Sequence, residues 1–121
     1  MRSFAIALAL LSALSAAQAT ASDVSGKWKL HMSIAGHDSD QDCTFTQKDA
    51  TLTGTCKGEE AEVKIDGKVD GTKVAWSYNS EYNGTPLTLK FDGTLADDKI
   101  AGEVTVDPYA VSGDFTATRA K

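Results

Sequence analysis

The stretch Ser25-Gly26-Lys27-Trp28-Lys29-Leu30 (SGKWKL) begins a run in which apolar and polar residues alternate. The alternation continues to Ile34, and every residue between the apolar ones is Lys, His or Ser. Successive side chains of a β-strand point to opposite sides, so a period of two predicts a strand that buries one face. Trp28, one of two tryptophans in the chain, lies on the buried face of this first predicted strand.

Seven further segments repeat the alternation, at 43–46, 51–56, 62–66, 74–78, 87–91, 100–106 and 111–119. The intervening segments contain the Gly, Asp, Asn and Pro residues of tight turns, at 36–40, 57–59, 70–72, 83–86, 96–98 and 107–108. No segment after residue 20 has the length and periodicity of a helix. Short connections favour hairpins between sequential strands, so the predicted fold is all-β, an eight-stranded antiparallel up-and-down meander.

Eight strands with one apolar face can close into a barrel or fold into two packed sheets. Closure is favoured because it removes exposed strand edges. Five glycines on the inward positions suit the strong coiling of a small barrel and also leave space inside it: Gly54, Gly67, Gly93, Gly102 and Gly113. In a closed meander the first and last strands are neighbours, and the alternation turns both Trp28 and Arg119 inward. A guanidinium over an indole contributes roughly 0.5–2 kcal/mol, so this pair is predicted to close the barrel.

The sequence Gly26-Lys27-Trp28 on the first strand, with Arg119 near the end of the last, resembles the signature of the calycin superfamily. That superfamily includes lipocalins and avidins, in which a basic residue packs across the tryptophan, and the chain looks more like their short bacterial members. The segments 51–55 and 74–76 resemble the third and fifth strands of avidins, which implies that Trp76 walls a cavity. Biotin binding is not implied, because Leu30 stands where avidins carry a polar contact to biotin.

The first residues have the features of a signal peptide. Arg2 is followed by an apolar run at 4–14, and Ala17-Gln18-Ala19 fits the small-x-small rule of signal peptidase. The predicted signal peptide is therefore 1–19, with cleavage after Ala19 or Ala21. The apolar run is shorter than the roughly 20 residues that span a membrane. The sequence thus predicts one calycin-like β-barrel domain at 20–121, periplasmic or secreted, with no membrane segment in the mature form.

Charge and cysteine content narrow the partners and the compartment. The formal net charge of −5 argues against a nucleic-acid partner, since phosphate binding needs a basic surface. Cys43 and Cys56 lie symmetrically about Asp49-Ala50, so a hairpin there places them opposite each other. We therefore predict a disulfide, which in the entropic model stabilises the fold by roughly 3 kcal/mol.

No metal site, cofactor site or catalytic residue is predicted. His31 falls on an outer position and His37 in a turn, with no third histidine or nearby cysteine at zinc-binding spacing. The aspartates at 38, 40 and 42 imitate the start of a calcium loop, but Cys43 stands where that loop requires glycine. A solvated acidic loop is the better interpretation of this segment.

The predicted interior has few polar residues, namely Gln47, Tyr78 and Arg119, within an apolar wall. Such a composition is typical of a ligand cavity with a few orienting groups, and equally of a filled core. The leading hypothesis is a small, mostly apolar ligand in the barrel mouth, contacted by Trp76, Tyr78, Tyr82, Phe91 and Met32. A protein-binding barrel, such as a secreted protease inhibitor, is the alternative. An enzyme such as an isomerase comes third, because no inward acid–base pair accompanies Tyr78.

Overall fold

A computed structural model describes residues 23–58 and 62–120 of the chain. Its eight strands are β1 (Gly26–Ile34), β2 (His37–Lys48), β3 (Thr51–Lys57), β4 (Glu62–Asp70), β5 (Lys73–Tyr82), β6 (Thr85–Ala96), β7 (Lys99–Asp107) and β8 (Val111–Arg119). Each strand pairs with the next in antiparallel fashion, and β8 pairs with β1 to close the barrel. The predicted eight-stranded meander barrel is confirmed.

The predicted signal peptide at 1–19 and both predicted cleavage points lie outside the described residues. Within 23–58 and 62–120 there is no helix long and apolar enough to cross a membrane.

The period of two in the sequence explains how the barrel is filled. Every residue buried in the described part of the chain is apolar, and together these residues form one cluster inside the barrel. The residues between them face outward and are mostly Lys, Asp, Glu, Thr and Ser. At about 25 cal/mol per Å² of apolar surface removed from water, this single core is the main stabilising term for the fold.

Two-residue turns connect several of the hairpins. Asn83 and Gly84 both have positive φ, 52° and 81°, which is the backbone of a type I′ turn. That turn matches the right-handed twist of its strands, and Asn-Gly is its preferred sequence. Ala35 and Gly36 adopt the same conformation with φ of 51° and 83°.

The segment 36–40, predicted as a turn, is mostly strand. β2 begins at His37, and its register with β1 runs without interruption from Ile34 opposite His37 to Gly26 opposite Phe45. Residues 37–40 are exposed and polar on both faces, so their pairing with β1 depends on backbone hydrogen bonds and on outer-face contacts such as that of His31 with Asp40. A strand therefore forms here although the sequence lacks the alternation of apolar and polar residues.

The inward glycines bring neighbouring strands together. A Cβ at Gly67 would collide with the carbonyl oxygen of Ala75 and with Trp76 on the adjacent strand. A Cβ at Gly102 would collide with the carbonyl oxygen of Asp92 in the same way. At these positions the space left by the missing side chain is occupied by backbone, so the glycines serve the coiling of the barrel.

Candidate functional site

Trp28 and Arg119 close the end of the barrel at which β1 begins and β8 ends. The two residues are register partners on β1 and β8, and the Arg119 guanidinium carbon lies 4.4 Å from the Trp28 ring centroid. Arg119 also donates hydrogen bonds to the carbonyl oxygens of Ser25 (3.0 Å) and Asp23 (3.2 Å) and to the carboxylate of Asp98 (3.1 Å). The predicted closure is confirmed, and we call this end the floor.

The segment that precedes β1 seals the floor. Val24 is fully buried, and its carbonyl oxygen accepts a hydrogen bond from the Trp28 indole at 2.9 Å. The side-chain oxygen of Gln47 accepts from the backbone N–H of Val24 at 3.0 Å, and the backbone N–H of Gln47 donates to the Ser25 hydroxyl at 2.9 Å. Gln47, predicted as an interior polar group, thus anchors this segment. Sequence reasoning missed Val24, whose only signal is an isolated apolar residue just ahead of the first strand.

Aromatic rings fill the middle of the barrel. Trp76 stacks on Phe91 with ring centroids 5.0 Å apart and an interplanar angle of 10°. Phe45 lies 5.0 Å from Trp76, and Phe115 packs edge-on at 5.2 Å. Trp76 and Phe91, both predicted to contact a ligand, therefore contact each other and further core rings. The Trp76 indole nitrogen is buried and has no hydrogen-bond partner in the part of the chain that the structure describes.

The opposite end of the barrel is open on one side. β4 and β5 are in register only where Asp66–Asp70 faces Lys73–Ser77, so among the described residues 62–65 and 78–82 have no partner across this gap. The β1–β2 and β5–β6 hairpins lie on either side of this gap. In the first of them, β2 pairs with β3 only from Asp42 onward. We call the opening between these two hairpins the mouth.

Inward residues of five strands line the mouth. Its apolar lining consists of Leu30, Met32, Ile34, Val63 and Leu89, and its polar lining of Ser39, Gln41, Tyr78 and Ser80. The open space at this end measures about 980 Å³, but it continues over the outer side of β1 and β2 past Lys29 and His31. The apolar residues of this lining occupy inward positions, whereas the outer part is lined by polar and charged side chains.

Gln41 and Tyr78 meet across the mouth. The Gln41 side-chain amide donates to the Tyr78 hydroxyl oxygen at 3.4 Å, a long hydrogen bond that joins β2 to β5. Burial raises the pKa of the Tyr78 hydroxyl above its ordinary value, and the hydrogen bond from Gln41 offsets part of the rise. The Gln41 side-chain oxygen is buried and has no partner among residues 23–58 and 62–120. Sequence reasoning missed Gln41 because the turn predicted at 36–40 hid its inward position.

The structure separates the five residues predicted to bind a ligand into three places. Met32 and Tyr78 line the mouth, while Trp76 and Phe91 lie in the filled layer below it. Tyr82 lies at the tip of the β5–β6 hairpin with 61% of its surface exposed. Two of the five residues are therefore in position to contact a molecule held in the mouth.

The predicted pairing of Cys43 with Cys56 is present. The two residues are register partners on β2 and β3 and form a disulfide whose sulfurs are fully enclosed by the core. A disulfide is consistent with an oxidising, extracytoplasmic compartment. Among the described residues, no group of three or more His, Cys, Asp or Glu side chains is placed to hold a metal ion.

His31 lies on the outer face of the barrel beside two aspartates of β2. Its Nδ1 is 2.7 Å from a carboxylate oxygen of Asp40, and its Nε2 is 3.8 Å from one of Asp38. The hydrogen bond to Asp40 raises the pKa of His31 above the ordinary 6.5. The side chain is solvent-exposed, so the ion pair is screened by water and salt.

We predict that Asp40→Asn lowers the pKa of His31, as measured by the pH dependence of its imidazole proton shifts in NMR spectra. A group whose folded-state pKa is raised contributes stability fully below its unfolded pKa of 6.5, and that contribution is lost as the pH rises through the folded-state pKa. The wild-type protein should therefore lose a little stability across that window, and Asp40→Asn should lose less. Asp66→Asn on the outer face of β4 is the control, and a His31 pKa unchanged in Asp40→Asn would contradict the pairing.

Comparison of the chain with models of known protein families finds no match, and comparison with curated protein sequences also finds none. The fold is a closed eight-stranded antiparallel barrel, an architecture compatible with a calycin-like barrel.

Proposed function

We propose that this protein is an exported barrel that binds a small, mostly apolar ligand in its mouth. The observation that carries the proposal is the contrast between the two ends of the barrel. The floor is sealed by Val24, Trp28 and Arg119, whereas the mouth is open and combines an apolar wall with the polar pair Gln41 and Tyr78. Ligand sites typically combine apolar walls with a small number of polar groups that orient the ligand.

The filled middle of the barrel limits the size of the ligand. Trp76, Phe91 and Phe115 pack against one another directly below the mouth, so a ligand rests on this layer and does not reach the floor. Its affinity would come mainly from taking the ligand's own apolar surface out of water, because Met32 and Leu89 are only 3% and 7% exposed. Each 100 Å² of apolar surface removed from water contributes about 2.5 kcal/mol, before the cost of association is subtracted.

We also propose that the protein is a calycin-like barrel and that it lies outside the cytoplasm. The order Gly26-Lys27-Trp28 and the packing of Arg119 over Trp28 support a calycin-like barrel related to lipocalins and avidins. The disulfide between Cys43 and Cys56 supports a periplasmic or secreted location. The proposal assigns no cofactor, nucleic-acid partner or membrane segment to the mature protein.

Ligand binding at the mouth can be tested with the neutral fluorescent probe N-phenylnaphthylamine and two variants that each introduce a tryptophan. Ser80 is an inward residue of the mouth, and Asn79 precedes it on the outer face. We expect the wild type to enhance probe fluorescence, Ser80→Trp to weaken binding by about tenfold or more through steric blocking, and Asn79→Trp to retain it. No enhancement by the wild type, or equal binding by both variants, would contradict the proposal.

A protein-binding role is the second candidate, supported by two exposed aromatic residues. Tyr82 and Tyr109 are 61% and 51% exposed, and within the described residues they are the only large hydrophobic side chains so exposed. Both lie at the mouth end, in the β5–β6 and β7–β8 hairpins, and tyrosine is enriched at protein interfaces. If this role holds, inhibition of secreted metalloproteases by the wild type should be lost in a Tyr82→Ser, Tyr109→Ser double variant.

The enzyme alternative gains no support from the mouth. A general acid or base works with a partner that takes or supplies a proton. Within the described residues, the side chain that hydrogen-bonds Tyr78 is Gln41, which does not titrate.

A further inference from the structure

We propose that the outer part of the β5–β6 hairpin is a flap that closes over a ligand held in the mouth, with Tyr82 and Leu87 as its contact residues. We call residues 80–87 the arm. This inference rests on the proposed function, to which it adds two ligand contacts and a moving element. It is carried by the pairing of the arm, by its exposure and by the direction of its side chains.

The arm is joined to the rest of the barrel only at its base. Pairing of β5 with β4 ends at Ser77, and pairing of β6 with β7 ends at Thr88. Among the described residues, the two strands of the arm therefore pair only with each other, from Ser80 opposite Leu87 up to the turn. An isolated two-stranded hairpin is marginally stable in water, so the arm can bend while the closed barrel below it stays intact.

The arm also has few buried contacts. Residues 80–84 and Pro86 are exposed, whereas Leu87 is half-buried against the core. A hydrogen bond of 3.0 Å from the Thr88 hydroxyl to the Asn79 side chain joins the two strands just below the arm. Segments with few buried apolar contacts open at a low cost in free energy, and ligand-binding lids are drawn from such segments. The contact between Thr88 and Asn79 therefore marks the base about which the arm bends.

The inner face of the arm continues the wall of the mouth. Tyr82 lies on the same face of β5 as Ser80 and Tyr78, both of which line the mouth, because side chains two positions apart share a face. Leu87 is the register partner of Ser80, so it lies on this face as well. Tyr82 is 61% exposed, so much of its ring is available for burial against a ligand.

Burial of apolar surface drives the closure. Bending toward the mouth lays the Tyr82 ring over the ligand and takes apolar surface of both out of water. The hydroxyl at the far end of the ring can stay in contact with solvent, since tyrosine combines an apolar body with a polar tip. The ligand makes these contacts only in the closed form, so binding shifts the arm toward closure, and dissociation requires the arm to open.

The motion of the arm can be measured by backbone amide relaxation in NMR spectra, with and without N-phenylnaphthylamine, on fast and on microsecond-to-millisecond timescales. Without the probe, we expect the amides of Glu81, Asn83 and Leu87 to be more mobile than those of β7. At saturating probe they should become as rigid as β7, while the β7–β8 turn around Tyr109 keeps its mobility. An arm that is as rigid as β7 without the probe, or equally mobile with it, would overturn the flap.

The contact with Tyr82 can be tested by the rate at which the probe dissociates, followed by stopped-flow fluorescence. We expect Tyr82→Ser to speed dissociation by about tenfold or more, because the closed arm loses its aromatic cover. Tyr109→Ser removes the other exposed tyrosine and should leave the rate within about twofold of the wild type. Since both side chains are largely exposed, neither variant should alter the fold, which circular dichroism would verify. Equal rates in the two variants would exclude Tyr82 from the site and overturn the inference.

The outcomes separate this inference from the proposed function. If the probe binds and Ser80→Trp blocks it, while Tyr82→Ser releases the probe no faster than the wild type, the flap fails and the proposed function stands. If the probe does not bind the wild type, both fail together.

Discussion

Replacing Trp28 with alanine is expected to lower the free energy of unfolding by about 3–5 kcal/mol, the usual cost of truncating a buried aromatic residue. Trp28 is 1% exposed, donates to the Val24 carbonyl and supports the Arg119 guanidinium, so its removal opens the floor and frees both partners. Domains of this size have total stabilities of about 5–15 kcal/mol, so a large part would be lost. Urea denaturation followed by circular dichroism measures the change.

Two further variants show whether the effect comes from closure of the floor. Arg119→Met keeps the apolar stem but removes the guanidinium, and should cost about 1–3 kcal/mol through lost stacking and hydrogen bonds. Lys27→Ala changes the outward neighbour of Trp28 and should change stability by less than about 0.5 kcal/mol. Unaltered stability in both Trp28→Ala and Arg119→Met would mean that the barrel does not depend on this contact.

The second large loss of stability is expected when the disulfide between Cys43 and Cys56 is removed. A Cys43→Ala, Cys56→Ala double variant should lose about 3 kcal/mol, because the crosslink closes a short loop and restricts the unfolded chain. The two residues are 1% and 0% exposed, so the variant also loses apolar contacts in the core. Thermal unfolding should show a melting temperature lower by more than about 10 °C, given that 1 kcal/mol corresponds to about 4–8 °C in a domain of this size.

A matched control for the cysteine variant is the pair of threonines next to the cysteines in the sequence. Thr44 and Thr55 are register partners on the same two strands but face outward. Their double replacement by alanine should leave stability nearly unchanged, since surface substitutions usually alter it by less than about 0.5 kcal/mol. A reducing agent added to the wild type should reproduce the loss seen in the cysteine variant. Equal stability of oxidised and reduced protein would show that the disulfide contributes nothing.

Most of the fold could be predicted from the sequence because a barrel strand has a strict period of two. Once Trp28 is placed inside, the alternation fixes the direction of every side chain on β1, and the same holds for Phe115 and Arg119 on β8. The opposition of Cys43 and Cys56 followed from their symmetric placement about Asp49-Ala50, because a two-residue and a four-residue loop there give the same register. These predictions succeeded because strand pairing turns local sequence periodicity directly into neighbours in space.

The mouth was harder to predict because local periodicity fails there. Residues 37–41 are polar on both faces, so nothing in their sequence marks Gln41 as inward. The gap between β4 and β5 is a property of register and strand length, since β5 extends to Tyr82 beyond its pairing with β4. The packing of Trp76 against Phe91 likewise depends on how rings from different strands share a confined volume. Alternation predicts that Trp76 and Phe91 point inward, but it does not predict how far along the barrel axis side chains fill the interior.

Binding of a small apolar ligand at the mouth, above a solid core, can be tested most directly by mapping backbone amide shifts during titration with octanol. Shifts should concentrate at residues around the mouth, namely Ser39, Gln41, Val63, Tyr78 and Ser80. Residues of the floor, such as Val24 and Gln47, should stay unchanged because the aromatic layer separates them from the ligand. Shifts that concentrate at the floor, or no shifts at saturating octanol, would contradict binding at the mouth.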